Sequence, residues 1–294
     1  MHAVITILVG GLSEAVPLFL IASGLTLIYG VMGILNFAHG GMFMFGAFLL
    51  VWILGGGPVS AGWFVLGSLL AALIVGAMGL VVEPVLYRPL YRFEPQVSLL
   101  GSYGLLLFLV GLAPVLWGDQ FLSQDIPPTL AGHSAVFGIS MSNYNLMEIA
   151  VGIVIAALLA LLLKKTTIGL RATALAEDRE MARALGVRAT RVNLMVFGLG
   201  SFLAGLAGAL IAPTISISQS LGVEFVIEAF TVVLMGGLGS VEGALLASII
   251  VGIVDTTIVT YVPALTGYSF YIILGVFVAV RPQGLFGRLT ASET

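Results

Sequence analysis

Charge is concentrated in one short part of this chain, and that concentration limits what the chain can fold into. Seven of its eleven Lys and Arg residues lie in residues 164–191, and long apolar segments flank that stretch on both sides. Charged residues make up only 9% of the whole chain, whereas a soluble domain carries about 25%. A soluble chain of this length would have too few charges to cover its core. The sequence therefore predicts an integral membrane protein, with residues 1–294 forming a single transmembrane domain.

The apolar segments predict eight or nine helices that cross the membrane or re-enter it. Charge and turn signals separate the segments, which lie at about 3–35, 33–54, 63–86, 97–117, 146–163, 192–212, 223–240, 241–261 and 268–280. The segment at 223–240 is either a full crossing or a re-entrant helix, which is the difference between nine crossings and eight. The 38 Gly residues are typical of membrane helices that pack closely through small residues. We therefore predict an all-α integral membrane fold.

The cations predict which side of the membrane each loop faces, because loops rich in Lys and Arg stay in the cytoplasm. The cations outside residues 164–191 are Arg88, Arg92, Arg281 and Arg288. No cation precedes Arg88, so the N-terminal segment lacks the basic region of a secretory signal. Three crossings before the first basic loop place the N-terminus in the periplasm, and the last crossing places the C-terminus in the cytoplasm. The cation-free loop at about 118–145 is then periplasmic.

Polar groups at membrane depth are costly, so each is a candidate functional group. The ionisable candidates within apolar segments are Glu14, His39, Glu224, Glu228, Glu242 and Asp255. Asn36 lies about one helical turn before His39, so the two side chains can line one cavity or hydrogen-bond between helices. Glu14, Glu224 and Glu228 are expected near the outer boundary as solvated groups. Glu83 and Arg88 predict an ion pair at the membrane interface.

Two Gly-rich breaks, at 30–48 and 234–250, share a plan. Each has a Gly-rich break, a buried polar or ionisable residue and then an apolar helix of small residues. Paired breaks in two parts of a membrane protein indicate an internal repeat around a transport path. Glu242 in the second break faces either substrate or, as a structural clamp, a neighbouring helix. The candidate path residues are Asn36, His39, Gly40, Ser240 and Glu242.

The motifs of the common enzyme classes are missing from the sequence. It contains no Cys, no HExxH, no GxSxG and no Walker A loop, so we do not expect this chain to hydrolyse ATP itself. Its three His residues are too scattered to predict a metal site. The net charge of −3 gives no reason to expect a nucleic-acid partner. We predict no catalytic residue and no cofactor.

The middle of the charged stretch predicts one short helix outside the membrane. Residues from about 170 to 185 are rich in Ala, Leu, Arg and Glu, which are strong helix formers, and Gly186 is a natural C-terminal cap. The alternative is a solvated loop that only sets the topology. Residues 180–186 match E-x-A-x-x-x-G and resemble the EAA coupling loop of bacterial ABC importer permeases. Met181 stands where that pattern has Ala, and the Leu-Pro ending of the pattern is missing.

Four further motifs extend this resemblance along nearly the whole chain. In order they are GLTLIYGVMGILNFAHGGMFMFGAF, TTIGLRATALAEDREMARALGV, VVLMGGLGSVEGALLASIIVGI and RPQGLFG. Together they resemble the branched-chain amino-acid ABC permease family, and specifically its shorter, H-type subunit. The resemblance implies a permease in the bacterial inner membrane, surrounded by lipid, that moves a hydrophobic amino acid. It also implies a second homologous permease, two ATP-binding-cassette ATPases and a periplasmic substrate-binding protein.

The same resemblance assigns a role to the cytoplasmic helix. Glu180, Ala182, Leu185 and Gly186 would couple the permease to the ATPases. Ala182, Ala184 and Leu185 would fill an apolar groove of the partner, and Glu180 and Arg183 would form contacts at its rim. The motifs leave the substrate open among branched-chain amino acids, other amino acids, urea and short amides. They also do not decide whether the second permease is a different chain or a second copy.

Two other classes of function compete with this prediction. One is an ion-coupled secondary transporter of a small amino acid or amide, in which buried Glu and Asp residues would carry protons or Na⁺. The charged stretch argues against it, because such a carrier needs no docking helix. The other is a membrane scaffold, which the broken helices disfavour.

Overall fold

The computed structural model describes residues 2–136, 139–281 and 284–286. The helices, in chain order, are α1 (His2–Met32), α2 (Ala38–Leu54), α3 (Ala61–Val82), α4 (Pro95–Trp117), α5 (Asn143–Lys165), α6 (Thr167–Glu177), α7 (Arg179–Ala184), α8 (Ala189–Ile211), α9 (Leu221–Gly236), α10 (Val241–Tyr261) and α11 (Ser269–Val280). A π-helical turn (Glu83–Tyr87) and a short helix (Arg88–Leu90) extend α3, and a 3₁₀ turn (Pro263–Leu265) precedes α11. Strands β1 (His133–Val136) and β2 (Ile139–Ser142) pair antiparallel, from His133 opposite Ser142 to Val136 opposite Ile139.

Six of these helices are long and apolar enough to cross a membrane. They are Val4–Met32, Ala61–Leu90, Pro95–Trp117, Asn143–Lys165, Ala189–Ile211 and Val241–Tyr261. Two shorter apolar helices, α2 and α11, accompany them, and α9 is another short helix. The all-α membrane fold predicted from the sequence is confirmed.

The centre of the bundle is formed by α1, α2 and α8, which pack through glycines. A Cβ atom built on Gly46 would lie 2.1 Å from the carbonyl oxygen of Gly205, and one built on Gly208 would lie 1.9 Å from that of Phe43. A Cβ atom built on Gly24 would likewise lie 2.7 Å from the carbonyl oxygen of Gly200. Small residues let membrane helices approach until their backbones touch, which increases van der Waals contact. These contacts make α8 the most enclosed of the spanning helices.

The bundle has two chemically different ends. At one end, Arg179 contacts the C-terminal turn of α1 and Lys164 pairs with the start of α10. At the other end, Asp125 binds the backbone of Gly56 and Leu122 pairs with Ile217. We call the first the basic end and the second the loop end.

The cations follow this division of the bundle. Of the eleven Lys and Arg residues, Arg288 lies outside the described residues, and the other ten all lie on segments of the basic end. The predicted loop at 118–145 lies at the loop end. It contains the β1–β2 hairpin, which the sequence analysis did not predict.

The π-helical turn has a cause in the sequence. Pro84 and Pro89 lack backbone N–H groups, so the regular α-helical ladder cannot continue through this stretch. A π turn accommodates the hydrogen bonds that the two prolines cannot make. Such turns often occur at functional sites. Here the turn directs Glu83 and Tyr87 into the protein, where both are fully buried.

The prediction of one helix from about 170 to 185 is wrong, because α6 and α7 are separate helices. Asp178 ends α6 in an extended conformation, and its carboxylate then accepts a hydrogen bond from the backbone N–H of Met181 at 2.9 Å. Asp is favoured at such N-caps because its side chain replaces a missing backbone partner. Gly186 has φ +86° just after α7, in agreement with its predicted capping position.

Because α2 and α8 are in close contact, the loss of stability caused by a Gly→Ala substitution should depend strongly on its position. Gly208→Ala should lower the free energy of unfolding by about 1–3 kcal/mol, because the new methyl group meets the backbone of Phe43. Gly104→Ala is the matched control, since no atom lies within 4 Å of its added Cβ. Thermal unfolding of the detergent-solubilised protein measures both variants. Equal melting temperatures would contradict this packing.

Candidate translocation site and coupling segment

The break after α1 turns the chain back into the protein. Gly33 has φ +70° and donates its N–H to the carbonyl of Tyr29 at 2.7 Å, which ends the helix. His39 then donates from Nε2 to the carbonyl of Ile21 at 3.0 Å. Ile21 precedes Val31, a residue of the basic end, by ten positions, which is about 15 Å along a helix. Helix α2 therefore begins at mid-depth, and residues 33–37 connect it to the basic end.

Three polar side chains hold this break, and we call Asn36, Tyr87 and Ser102 the inner cluster. The Tyr87 hydroxyl donates to Asn36 Oδ1 at 2.5 Å, and Ser102 Oγ accepts from the N–H of Phe37 at 3.1 Å. All three side chains are fully buried. Irregular backbone is tolerated at membrane depth where protein groups satisfy it. The inner cluster supplies such groups from α3 and α4.

Two polar atoms beside the break have no partner among the described residues. They are Asn36 Nδ2 and His39 Nδ1, and both are buried. A buried polar group without a partner costs about 1–3 kcal/mol. With Nε2 donating to Ile21, the neutral His39 ring presents Nδ1 as an acceptor, whereas Asn36 Nδ2 is a donor. The break thus offers one donor and one acceptor to a further polar group.

Gly40 lies where α2 crosses α9. A Cβ atom on Gly40 would lie 2.0 Å from the carbonyl oxygen of Gly222, so only Gly fits without moving a helix. One turn further along, the rings of Phe43 and Phe225 stack with centroids 4.1 Å apart. Asn36, His39 and Gly40, three of the predicted path residues, therefore lie together around the start of α2.

The second break lies at the basic end. Ser240 caps α10 by accepting the N–H of Gly243 at 2.9 Å. Gly239 approaches Gly30, so the two breaks meet: a Cβ atom on Gly30 would lie 3.4 Å from the Gly239 Cα atom. The expectation of a buried acid in this break is wrong, because the Glu242 side chain is 72% exposed. It pairs with Lys164 at 2.7 Å, which agrees with a clamp between α10 and α5.

The acidic residues of the loop-end half are less solvated than predicted. Glu224 is exposed, but Glu14 and Glu228 are only partly exposed. Sequence analysis missed Glu148, a buried acid in α5 that accepts a hydrogen bond from Ser13 at 2.5 Å. The available signal was a single acid within an apolar segment.

A second polar cluster connects α7 to the membrane helices. Its members, which we call the basic-end cluster, are Glu83, Arg88, Tyr91, Arg179 and Asn193. Arg179 donates from Nη1 to the carbonyl of Val31 at 3.0 Å. Its Nη2 lies 3.2 Å from the side-chain oxygen of Asn193, whose amide nitrogen donates to the carbonyl of Ala189.

The buried Glu83 carboxylate is the centre of the other half of this cluster. It accepts from the Tyr91 hydroxyl at 2.9 Å and from Arg88 Nη2 at 2.8 Å, which confirms the predicted Glu83–Arg88 pair. Burial lowers the pKa of the Arg179 guanidinium, and the nearby charge of Arg183 lowers it further. Arg remains protonated in proteins even so. Arg179 is therefore a charged anchor between α7 and the spanning helices.

The predicted coupling residues point in different directions. Ala182 is 3% exposed and packs against its own chain, so the prediction that it enters a groove of a partner is wrong. Leu185 is 78% exposed, and Met181, Glu180 and Gly186 are exposed as well. The exposed residues of α7 and of its C-cap Leu185, which we call the outward surface of α7, are Glu180, Met181, Arg183, Ala184 and Leu185.

Comparison with known proteins gives consistent matches over most of the chain. Residues 7–281 match the family model described as "Branched-chain amino acid transport system / permease component". LivH of Escherichia coli, a high-affinity branched-chain amino acid transport system permease protein, is 30% identical over 286 residues, 92% of this chain and 91% of LivH. BraD of Pseudomonas aeruginosa has the same description and is 30% identical over 297 residues, 96% of this chain and 95% of BraD. LsrC of Salmonella paratyphi B, an autoinducer 2 import system permease protein, is 29% identical over 214 residues, 70% of this chain and 59% of LsrC.

The inner cluster predicts a stability difference between two Tyr→Phe variants. Tyr87→Phe removes the donor to Asn36 Oδ1 and leaves a buried amide oxygen without that partner, which costs about 1–3 kcal/mol. Tyr103→Phe, on the exposed side of α4, is the control and should change the free energy of unfolding by less than about 0.5 kcal/mol. Thermal unfolding in detergent compares the two variants. If Tyr103→Phe destabilises as much as Tyr87→Phe, the inner cluster does not hold the break.

Proposed function

This chain belongs to the family of permease components of branched-chain amino acid transport systems, and from that premise we propose that it imports branched-chain amino acids. It is a transport permease, and ATP hydrolysis belongs to a separate partner subunit. The observation that carries the proposal is the match to LivH and BraD over more than nine-tenths of the chain. The family resemblance predicted from the motifs is confirmed. Family membership also removes the ion-coupled carrier and the scaffold as leading alternatives.

The proposed assembly has four kinds of partner around one path. They are a second homologous permease, two ATP-binding-cassette ATPases, a periplasmic substrate-binding protein and the lipid of a bacterial inner membrane. The basic end would face the cytoplasm, since all ten described cations lie there. This orientation puts the start of α1 and the loop at 118–145 in the periplasm, and the end of α11 in the cytoplasm. The binding protein would then meet the loop end and the ATPases the basic end.

In this account residues 164–191, which include α6 and α7, form the lever that receives motion from the ATPase. Glu180 and Leu185 would contact the ATPase directly, while Gly186 allows the sharp turn that ends α7. Ala182 packs α7 onto the permease, so a force on the outward surface of α7 moves the spanning helices too. Arg179 transmits that motion to the last turn of α1 through its bond to Val31. The break at 33–37 directly follows that turn.

The proposed path begins at the contact between α2 and α9. When these helices separate, Asn36 Nδ2 and His39 Nδ1 would present a donor and an acceptor to the substrate. An amino acid carries an acceptor carboxylate and a donor ammonium group, which complement this pair. Phe43 and Phe225 supply an apolar surface for an aliphatic side chain. Gly40 keeps the opening narrow, and Ser240 and Glu242 would border the path at the basic end.

The outward surface of α7 gives the most direct test of coupling. Leu185→Ser should abolish amino-acid uptake into membrane vesicles and release the ATPases in a detergent pull-down, because it removes an exposed apolar contact. Phe93→Ser is the matched control, since Phe93 is another exposed apolar side chain at the basic end, 61% exposed. Membrane levels of both variants should equal those of the wild type. If Leu185→Ser retains both uptake and the ATPases, α7 is not the docking helix.

If the ATPases are retained but the vesicles take up another substrate, the coupling account stands and the substrate assignment fails. Uptake of labelled leucine, isoleucine and valine, each competed with unlabelled urea and acetamide, separates these outcomes.

A further inference from the structure

A cleft with a volume of about 400 Å³ opens at the basic end, where α6 and the start of α8 meet. Three arginines and four less polar residues line it: Ile168, Arg171, Gly186, Arg188, Arg191, Val192 and Met195. These three arginines lie within the proposed lever, but none of the contacts proposed above uses their side chains. The cleft is therefore a feature that transport and ATPase docking leave unexplained.

The cleft is rich in positive charge, because three of its seven lining residues are arginines. The ion pairs Arg88–Glu83 and Lys164–Glu242 at the basic end do not involve an arginine of the cleft. Three guanidinium groups around one cavity repel each other, so an anion bound between them relieves that repulsion. Guanidinium groups also bind phosphate through two parallel hydrogen bonds, which makes a phosphate a better match than a small halide.

One side of the cleft is apolar and continues along the spanning helix α8. Arg188 is the N-cap residue of α8, and Arg191 and Met195 lie one turn apart along one face of that helix, from its first turn inward. Met195 is 48% exposed although it belongs to a spanning helix, and Ile168 on α6 is also exposed. A surface that changes from cationic to apolar in the direction of the hydrocarbon core complements an anionic head group joined to acyl chains. Basic pockets between spanning helices bind such lipid head groups.

We propose that this cleft is a binding site for an anionic phospholipid. The phosphate of the lipid lies between Arg171, Arg188 and Arg191, and an acyl chain runs along Val192 and Met195. The bound lipid bridges α6 and α8 and thereby stabilises the position of the coupling segment next to Gly186. The proposal depends on membrane insertion and is independent of which substrate the permease transports.

Native mass spectrometry of the purified transporter complex tests the site directly. The complex is titrated with phosphatidylglycerol and, separately, with phosphatidylcholine. The double variant Arg188→Gln, Arg191→Gln should bind phosphatidylglycerol about thirtyfold more weakly, since each surface cation contributes about 1 kcal/mol. Phosphatidylcholine binding should not change. The matched control Arg92→Gln, Lys165→Gln removes the same charge at the same end and should bind phosphatidylglycerol like the wild type.

Two further measurements keep the proposal falsifiable. The double variant Arg188→Lys, Arg191→Lys retains the charge and should keep most of the lipid binding. If the double Gln variant does not assemble, the single variant Arg191→Gln replaces it in the titration. Equal phosphatidylglycerol binding by the double Gln variant and the control would overturn the proposal. Displacement of the lipid by inorganic phosphate at equal concentration would identify a free-phosphate site instead. Unchanged lipid binding with loss of the ATPases would identify an ATPase contact instead.

Discussion

The structure depends on how a chain can leave the helical conformation inside a membrane. No water is available in the hydrocarbon core to bind an exposed N–H or C=O group, so every break must be satisfied by protein. At residues 33–37 the partners come from Tyr87 and Ser102, which belong to helices far away in the sequence. The same break leaves Asn36 Nδ2 and His39 Nδ1 without partners. The break therefore has buried side-chain atoms that can still bind a further polar group.

The π turn of α3 joins this break to the basic end. Glu83 opens the turn and binds Tyr91 and Arg88, while Tyr87 closes it and binds Asn36. Arg179 contacts the carbonyl of Val31, directly before the break. In the proposed coupling, a displacement of α7 would reach residues 33–37 by two routes, one through α1 and one through the basic-end cluster. Both routes consist of buried or part-buried hydrogen bonds.

The sequence predicted the features that follow from local composition. Apolar length determined the spans, the cations determined the basic end, and Gly186 has the predicted positive φ. Features that depend on tertiary neighbours were not predictable. Asp178 divides the predicted helix because its side chain caps α7, and Ala182 faces inward because α7 packs on its own permease.

The two Gly-rich breaks look alike in the sequence, which does not show how deep in the membrane each one lies. Helix α2 begins at mid-depth, whereas the Glu242 side chain is exposed at the basic end. Amide hydrogen exchange at residues 33–37 in the assembled transporter tests most directly whether motion of the coupling segment reaches the break. We predict that ATP changes this exchange in the wild type and that Arg179→Ala, which still binds the ATPases, loses the change. An identical ATP-dependent change in both proteins would contradict the account.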